Sequence, residues 1–398
     1  MNDPSLPEPN PGDNPFAAIP FIGDLMRMAG QQGPMSWDTA RQIAFSLSSG
    51  GSSEANVEPI ERIRYEELAR IAQLHLAQAT GFDLEGLKVV PVNRTGWANQ
   101  ALEDWRPLLE RLATSLGKGP AAAAATDPAD PADAFAGMFA SLSRMVAPMW
   151  LGMATGSMVG HLSERAMGTY HLPLPRGASS PLQVVVPNVN AFADDWSIER
   201  DDLRMWVSLS EMAHHAILRL PHVRARLNEQ LGRFVDAFEP NPSALEAKFG
   251  QIDPSMLNDP SGLQKLFGDP ELLLGAVRSP AQVEMLDHTD ALLATIVCYV
   301  DRILDEIVPR LLGASTRLAE ALRRRRVEEE AADRFVQKLL GIELDQASYD
   351  RAAAFLTGVV ERAGAAALGR LWESERTLPT PTDLEAPGLW LARLEFDD

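Results

Sequence analysis

Apolar residues recur along most of the chain near a period of 3.6, the spacing that lines one face of an α-helix. Helices are expected over Thr39 to Ser48, Pro59 to Ala79 and Thr95 to Leu116. In the second, Ile60, Ile63, Leu68, Ile71, Leu74 and Ala77 read as the face toward the core; in the third, Trp97, Leu102, Trp105, Leu108, Leu109 and Leu112 do. Ser197 is placed to cap a further helix, with Asp201 and Asp202 near its start, running to Leu220. A long helical pattern covers Ser279 to Glu329, with an interruption expected near Pro309 and Gly313, and two more helices follow it. Only Lys88 to Val92 and Leu182 to Val186 read as strands. The expected fold class is therefore mainly α with a small β-sheet.

Proline and glycine divide this pattern. Residues 1–34 read as an irregular lead holding an apolar patch from Phe16 to Met28, and residues 35–116 as an N-terminal helical region. Residues 117–132 form a low-complexity linker in which Pro120, Pro128 and Pro131 break any helix. The main core is expected over 133–377, broken into short helical pieces from Asn241 to Pro270, and a Pro-rich C-terminal tail over 378–398. Within the core, Met145 to Ser163 carries no formally charged residue, and Gly152, Gly156 and Gly160 repeat every four positions. That repeat puts a flat, small stripe on one helix face, which serves close helix packing in membranes and soluble cores alike. Pro148, His161 and a shortage of Leu, Ile, Phe and Val argue for a buried helix, so no membrane span is expected.

Composition narrows the partners. With 398 residues and 45% apolar content the chain can bury a large core, and 36 Lys+Arg against 55 Asp+Glu give a net charge of −19. An acidic surface argues against nucleic-acid binding, which needs clustered cations facing phosphate. The run Arg323 to Arg326 is followed by Glu328, Glu329 and Glu330, a self-neutralising, solvated helix face. Cys298 is the single cysteine, so no internal disulfide and no CxxC metal or redox pair is possible. The N-terminus has neither a basic stretch nor an apolar run of the kind that opens a signal peptide, and the expected compartment is the cytoplasm.

Most catalytic signatures are missing: no GxSxG, no GxGxxG after a strand, and no complete P-loop at Gly117-Lys118-Gly119. Of seven histidines, the informative ones stand in Ser210-Glu211-Met212-Ala213-His214-His215. Metallopeptidases use HExxH because i and i+4 place two imidazoles on one helix face, with the Glu beside the metal-bound water as general base. Here the first His position is Ser210, a poor zinc ligand, and His214 and His215 stand about 100° apart on the helix. His222 follows Pro221, where the helix kinks or restarts. Glu211 and His214 also match the Glu-x-x-His of di-iron bundles, but no second copy is present. A Ser210/His214 nucleophile pair is sterically possible, without a visible oxyanion device.

These residues, together with Asn14-Pro15-Phe16, Gly33 to Trp37, Gly156 to His161, Val186-Pro187-Asn188-Val189, Phe355, Val359 to Glu361, Gly364, Leu371-Trp372 and Leu378-Pro379-Thr380, carry a resemblance over most of the chain. The sequence resembles the bacterial zincin-like metallopeptidase family of candidate hydrolases, one branch of which is named for an association with deazaflavin-cofactor biosynthesis. The resemblance implies a zincin-like helical fold with its core over 133–377, and zinc as the metal. It also implies HExxHH at Ser210 to His215, so Glu211 is the general base of an active member and His214 a retained ligand. A third ligand, the Glu of a later Glu-Gly element, is implied at Val297 in Val297-Cys298-Tyr299-Val300-Asp301. Ser210 and Val297 are then degenerate ligand positions, and a lone His does not hold zinc at useful affinity.

Two functions follow as expectations. In the first, zinc is not bound and the chain is a non-catalytic binding or scaffold protein for a peptide or protein partner. In the second, it is an active metal-dependent hydrolase that recruits His215, His222 or Asp301 in place of the missing ligands.

Overall fold

The computed structural model describes residues 33–117, 148–149, 151–177, 180–238, 280–313, 316–327, 336–337 and 339–395. The lead before Gly33, most of the linker and the pieces expected from Asn241 to Pro270 lie outside the described residues, as do residues 145–147 and 328–330. Described helices are α1 (Trp37–Ser48), α2 (Pro59–Thr80), α3 (Arg94–Gly117), α4 (151–165), α5 (Val186–Asp195), α6 (Arg200–Leu218) and α7 (Pro221–Asp236). They continue with α8 (Pro280–Leu312), α9 (Thr316–Val327) and α10 (Gln346–Ala363). After the 3-10 turns Ala365–Trp372 and Glu375–Thr377, the last are α11 (Pro381–Glu385) and α12 (Pro387–Glu395). Two strands, β1 (Val89–Val92) and β2 (Leu182–Val185), pair in parallel with Val89 beside Leu182 and Val92 beside Val185. The fold is mainly α with a small sheet.

At the centre α8 packs on α2, α6, α7 and α10, and residues 289–300 of α8 are buried on every side. The interruption expected near Pro309 and Gly313 falls after Leu312: Pro309 stays inside α8, and Gly313 takes a φ of 73°, which suits a residue without a side chain. In α3 the predicted apolar side does face inward, with Trp97, Leu102, Trp105, Leu109 and Leu112 all buried. The glycine stripe of α4 lies directly on α1. A Cβ at Gly152 or Gly156 would overlap the backbone oxygens of Ser36 or Ala40, and one at Gly160 would sit 2.7 Å from Leu47 Cβ. Opposite it α1 presents Ala40, Ala44 and Ser48, a second small stripe at the same spacing, and Ser48 Oγ meets Ser163 Oγ at 2.7 Å. Among the described residues no helix is long and apolar enough to cross a membrane.

Two expectations change. The face of α2 built on Ile60, Ile63, Ile71 and Leu74 is exposed, and the buried residues are Glu61, Tyr65, Ala69, Ala72 and Leu76. The small alanines let α2 lie close on α6, and the charge of Glu61 is met there by Arg204 at 2.8 Å, so the less apolar face fits the core better. Ser197 does not cap α6. It takes a φ of 50° in the preceding turn, Glu199 occupies the cap position, and the helix ends at Leu218. Of the arginine run, Arg323 and Arg324 pair with Glu320 on the helix surface, while Arg324 also lies over Trp196 and Arg325 over Phe192.

Candidate functional site

The predicted site lies on α6, which runs from a solvated first turn bearing Asp201 and Asp202 into the core. Its first half is held by Arg204, which is buried. One guanidinium nitrogen donates to Glu61 Oε1 at 2.8 Å and Asn190 Oδ1 at 3.0 Å, the other to Asp201 Oδ1 at 2.8 Å. These bonds tie α6 to α2 and α5.

The second half carries Ser210 to His215, and its environment comes from the segment between α4 and β2. Residues 167–170 run antiparallel to β2: Val185 N–H donates to the Met167 carbonyl at 2.8 Å, and Thr169 N–H to the Gln183 carbonyl at 3.1 Å. This makes an isolated antiparallel bridge, Gly168 to Val184, beside the parallel pair, and the chain turns at Thr169 and Tyr170. Glu211 points into this segment. Its Oε2 accepts the Tyr170 N–H at 2.9 Å, and its Oε1 would lie 2.6 Å from a Cβ at Gly168, so only glycine leaves room for the carboxyl group there. Trp97 Nε1–H donates to the Gly168 carbonyl at 2.8 Å and fixes that backbone from the other side.

Electrostatics follow from burial. Removal from water pushes the Glu211 carboxyl up to about 8, only partly opposed by the Tyr170 N–H and by Arg176. Arg176 is itself buried; it donates to the Thr169 carbonyl, stands 3.5 Å from Asp104 Oδ2, and lies 4.6 Å over the Trp105 ring. Burial pulls this guanidinium below its usual range, with Asp104 opposing the shift.

His214 is buried and donates from Nδ1 to the Ser210 carbonyl at 2.9 Å, which sets the tautomer whose lone pair is on Nε2. The Tyr170 ring stacks on it, with centroids 6.1 Å apart and planes 21° apart. The Tyr170 hydroxyl is hydrogen-bonded to Nδ1 of His215 at 2.9 Å, and burial, helped by Arg219, brings the His215 ring down to about 4. His215 is thus neutral at physiological pH.

The remaining candidates are spread out. Ser210 is half-buried on α6. Val297 is buried on α8, which packs against α6, yet it stands outside the continuous apolar cluster that Leu293, Ile296 and Val300 join. Asp301 is half-buried one turn beyond Val297 on the same helix face. His222 opens α7 and is hydrogen-bonded to the backbone of Trp372, whose ring packs on Tyr299 at 5.2 Å. Tyr299 is about 200° around α8 from Val297, so His222 engages the cluster on the far side of that helix. Glu211, His214 and His215 are therefore gathered around Tyr170, and His222 is not among them.

Gly168, Tyr170, Arg176 and Asp104 were not singled out in the sequence. No periodicity marks them, because they come from a loop and a helix that meet only in the fold. Among the described residues no three His, Cys, Asp or Glu side chains form a group able to hold a metal ion. A cavity of about 230 Å³ lies elsewhere, between α8, α10 and α11, lined by Asp287, Ser348, Arg351 and Glu385 among others.

The donor set fits zinc poorly. A hydroxyl and an isopropyl group stand where the family resemblance implies ligands, Glu211 is enclosed by Gly168 and bonded to the Tyr170 backbone, and Tyr170 holds Nδ1 of His215.

Comparison with known proteins places this helix in context. No curated protein matches the chain. The chain is similar in fold to the crystal structure of a candidate hydrolase with a novel fold from Chloroflexus aurantiacus, with a TM-score of 0.61 and 21% identity. That match covers 91% of this chain and 99% of the other. The family model for zincin-like metallopeptidases matches residues 35–391, so the chain, with its Glu211-x-x-His214 helix, belongs to the zincin-like metallopeptidase family.

Proposed function

We propose that this chain is a non-catalytic member of its family, a cytoplasmic binding or scaffold protein for a peptide or protein partner, with a degenerate zinc site. The observation that carries this reading is the position of Glu211. A general base must reach the proton of a polarised water. Here the carboxyl group is buried, packed on Gly168 and engaged by the Tyr170 N–H, so it ties α6 to the 167–170 segment. Ser210 and Val297 add to it: with neither position offering a metal donor, His214 is left as one ligand where three are needed.

Two observations favour the other reading, an active metal-dependent hydrolase. His214 keeps the Nδ1–H to carbonyl bond that presents Nε2 for ligation, and Asp301 stands one turn from Val297. Cleavage of an unbiased peptide library, with and without chelator, separates the two. The non-catalytic reading predicts no metal-dependent cleavage. Cleavage that chelator removes and that Glu211→Gln abolishes would establish the hydrolase instead.

A further inference from the structure

Eight large hydrophobic side chains are exposed among the described residues, and four of them share one face of α2: Ile60 at 46%, Ile63 at 53%, Ile71 at 42% and Leu74 at 66%. A clustered apolar stripe of this kind marks an interaction surface more often than scattered single residues do. Its sequence says what it fits. Taking Glu67 as centre, Ile60 and Leu74 stand seven residues to either side, Ile63 and Ile71 four, and Arg64 and Arg70 three. All seven lie within about 60° of one line along the helix, opposite the buried Tyr65, Ala69 and Leu76. The stripe therefore reads the same in both directions: apolar, apolar, basic, acidic, basic, apolar, apolar.

A surface that binds its own copy about a twofold axis must be self-complementary, and in an antiparallel helix pair apolar positions meet this condition when their spacing is symmetric about the axis. An unrelated partner imposes no such symmetry. We propose that α2 is a homodimer interface, lying antiparallel on α2 of a second copy about a twofold axis at Glu67. Ile60 then meets Leu74 of the second copy, and Ile63 meets Ile71 of the second copy, in the manner of facing apolar positions in a coiled coil. At the axis the two Glu67 carboxylates lie among four guanidinium groups, Arg64 and Arg70 from each copy. In this register Glu67 faces Glu67 and Arg64 faces Arg70 directly, and each Glu67 meets the second copy's arginines only on the diagonal, so the charges bear on register while the apolar positions supply the attraction. Arg64 is suited to this: it reaches Glu61 Oε1 only at 3.5 Å and keeps its side chain 47% exposed. One helix pair of this length buries an area at the low end of specific interfaces, so assembly depends on concentration.

Sedimentation of the full chain over two decades of micromolar concentration should show the mass rising from 43.4 kDa toward twice that value. The double variant Ile63→Glu, Leu74→Glu should stay at one chain while keeping the wild-type circular dichroism and melting temperature, since both positions are solvated. Cross-linking tests the axis itself. The native Cys298 is buried, so oxidised Glu67→Cys should give a disulfide-linked dimer, and Glu66→Cys, about 100° off the stripe, much less. Single-chain mass at every concentration would overturn the proposal, as would a dimer indifferent to the double variant or equal cross-linking at the two cysteines. A chain that dimerises only after removal of residues 1–32 would also overturn it, in favour of the Phe16 to Met28 patch as occupant.

Discussion

The two halves of α6 each bury an ionisable side chain, and they do so for different ends. In the first half, Arg204 meets Glu61, Asp201 and Asn190 through direct hydrogen bonds, so opposite charges neutralise one another where α2, α5 and α6 join. In the second half, Glu211 has a backbone N–H as its close partner and a buried arginine at longer range, and its carboxyl group is pushed up to about 8. Burial alone therefore does not identify a reaction centre. What separates a site from a joint is whether several donors converge on one point in space, and neither half gathers three such donors among the described residues.

The largest expected effect comes from breaking the first half. Arg204→Ala leaves Glu61 buried with only the longer 3.5 Å contact to the half-exposed Arg64, and removing one member of a buried pair costs about 3–5 kcal/mol. Chemical denaturation should show this loss, with partial recovery in Arg204→Ala, Glu61→Gln, which removes the stranded charge. A smaller cost is expected at the second half from Gly168→Ala, whose methyl group would overlap the Glu211 carboxyl; displaced packing of this kind costs about 1–3 kcal/mol. Gly156→Leu offers a calibration away from both halves, because it overpacks the contact of α4 with α1 by a similar about 1–3 kcal/mol. An unchanged melting temperature in either glycine variant would contradict the packing described.

Glu211→Gln should have the smallest effect, about 0–2 kcal/mol, because the amide oxygen can still accept the Tyr170 N–H. Its sign depends on pH. The folded protein holds the Glu211 proton up to about 8, whereas the unfolded chain releases it near the ordinary value of 4.5. The stability this group provides is full below the unfolded value and is lost as pH rises through about 8. Glutamine does not titrate. In chelator-treated protein, melts from pH 5 to pH 8.5 should therefore show the variant gaining on the wild type as pH rises. A difference independent of pH would show that the carboxyl group is ionised throughout.

Much of the fold was legible in sequence, for local reasons. The apolar side of α3, both strands, and the packing role of Gly152, Gly156 and Gly160 each follow from spacing within one element. The orientation of α2 did not, because it carries two plausible faces and the choice rests on α6, whose Arg204 accepts Glu61 into the core. The cap at Ser197 failed for a related reason: a capping residue type was present, but the turn placed Glu199 at the helix start. For the site, the Glu211 and His214 spacing was visible in the motif. Tyr170, Gly168, Arg176 and Asp104 were not, since what they do depends on the loop between α4 and β2 and on α3 meeting around α6.

The central claim is that Ser210 and Val297 leave this member of a zinc-binding family without its metal. It is tested most directly by elemental analysis of zinc in the purified full-length chain, beside the double variant Ser210→His, Val297→Glu. The account predicts zinc well below one ion per chain in the wild type, and about one per chain in the variant, once three ligands are again present. One zinc per wild-type chain, removed by chelator, would contradict it.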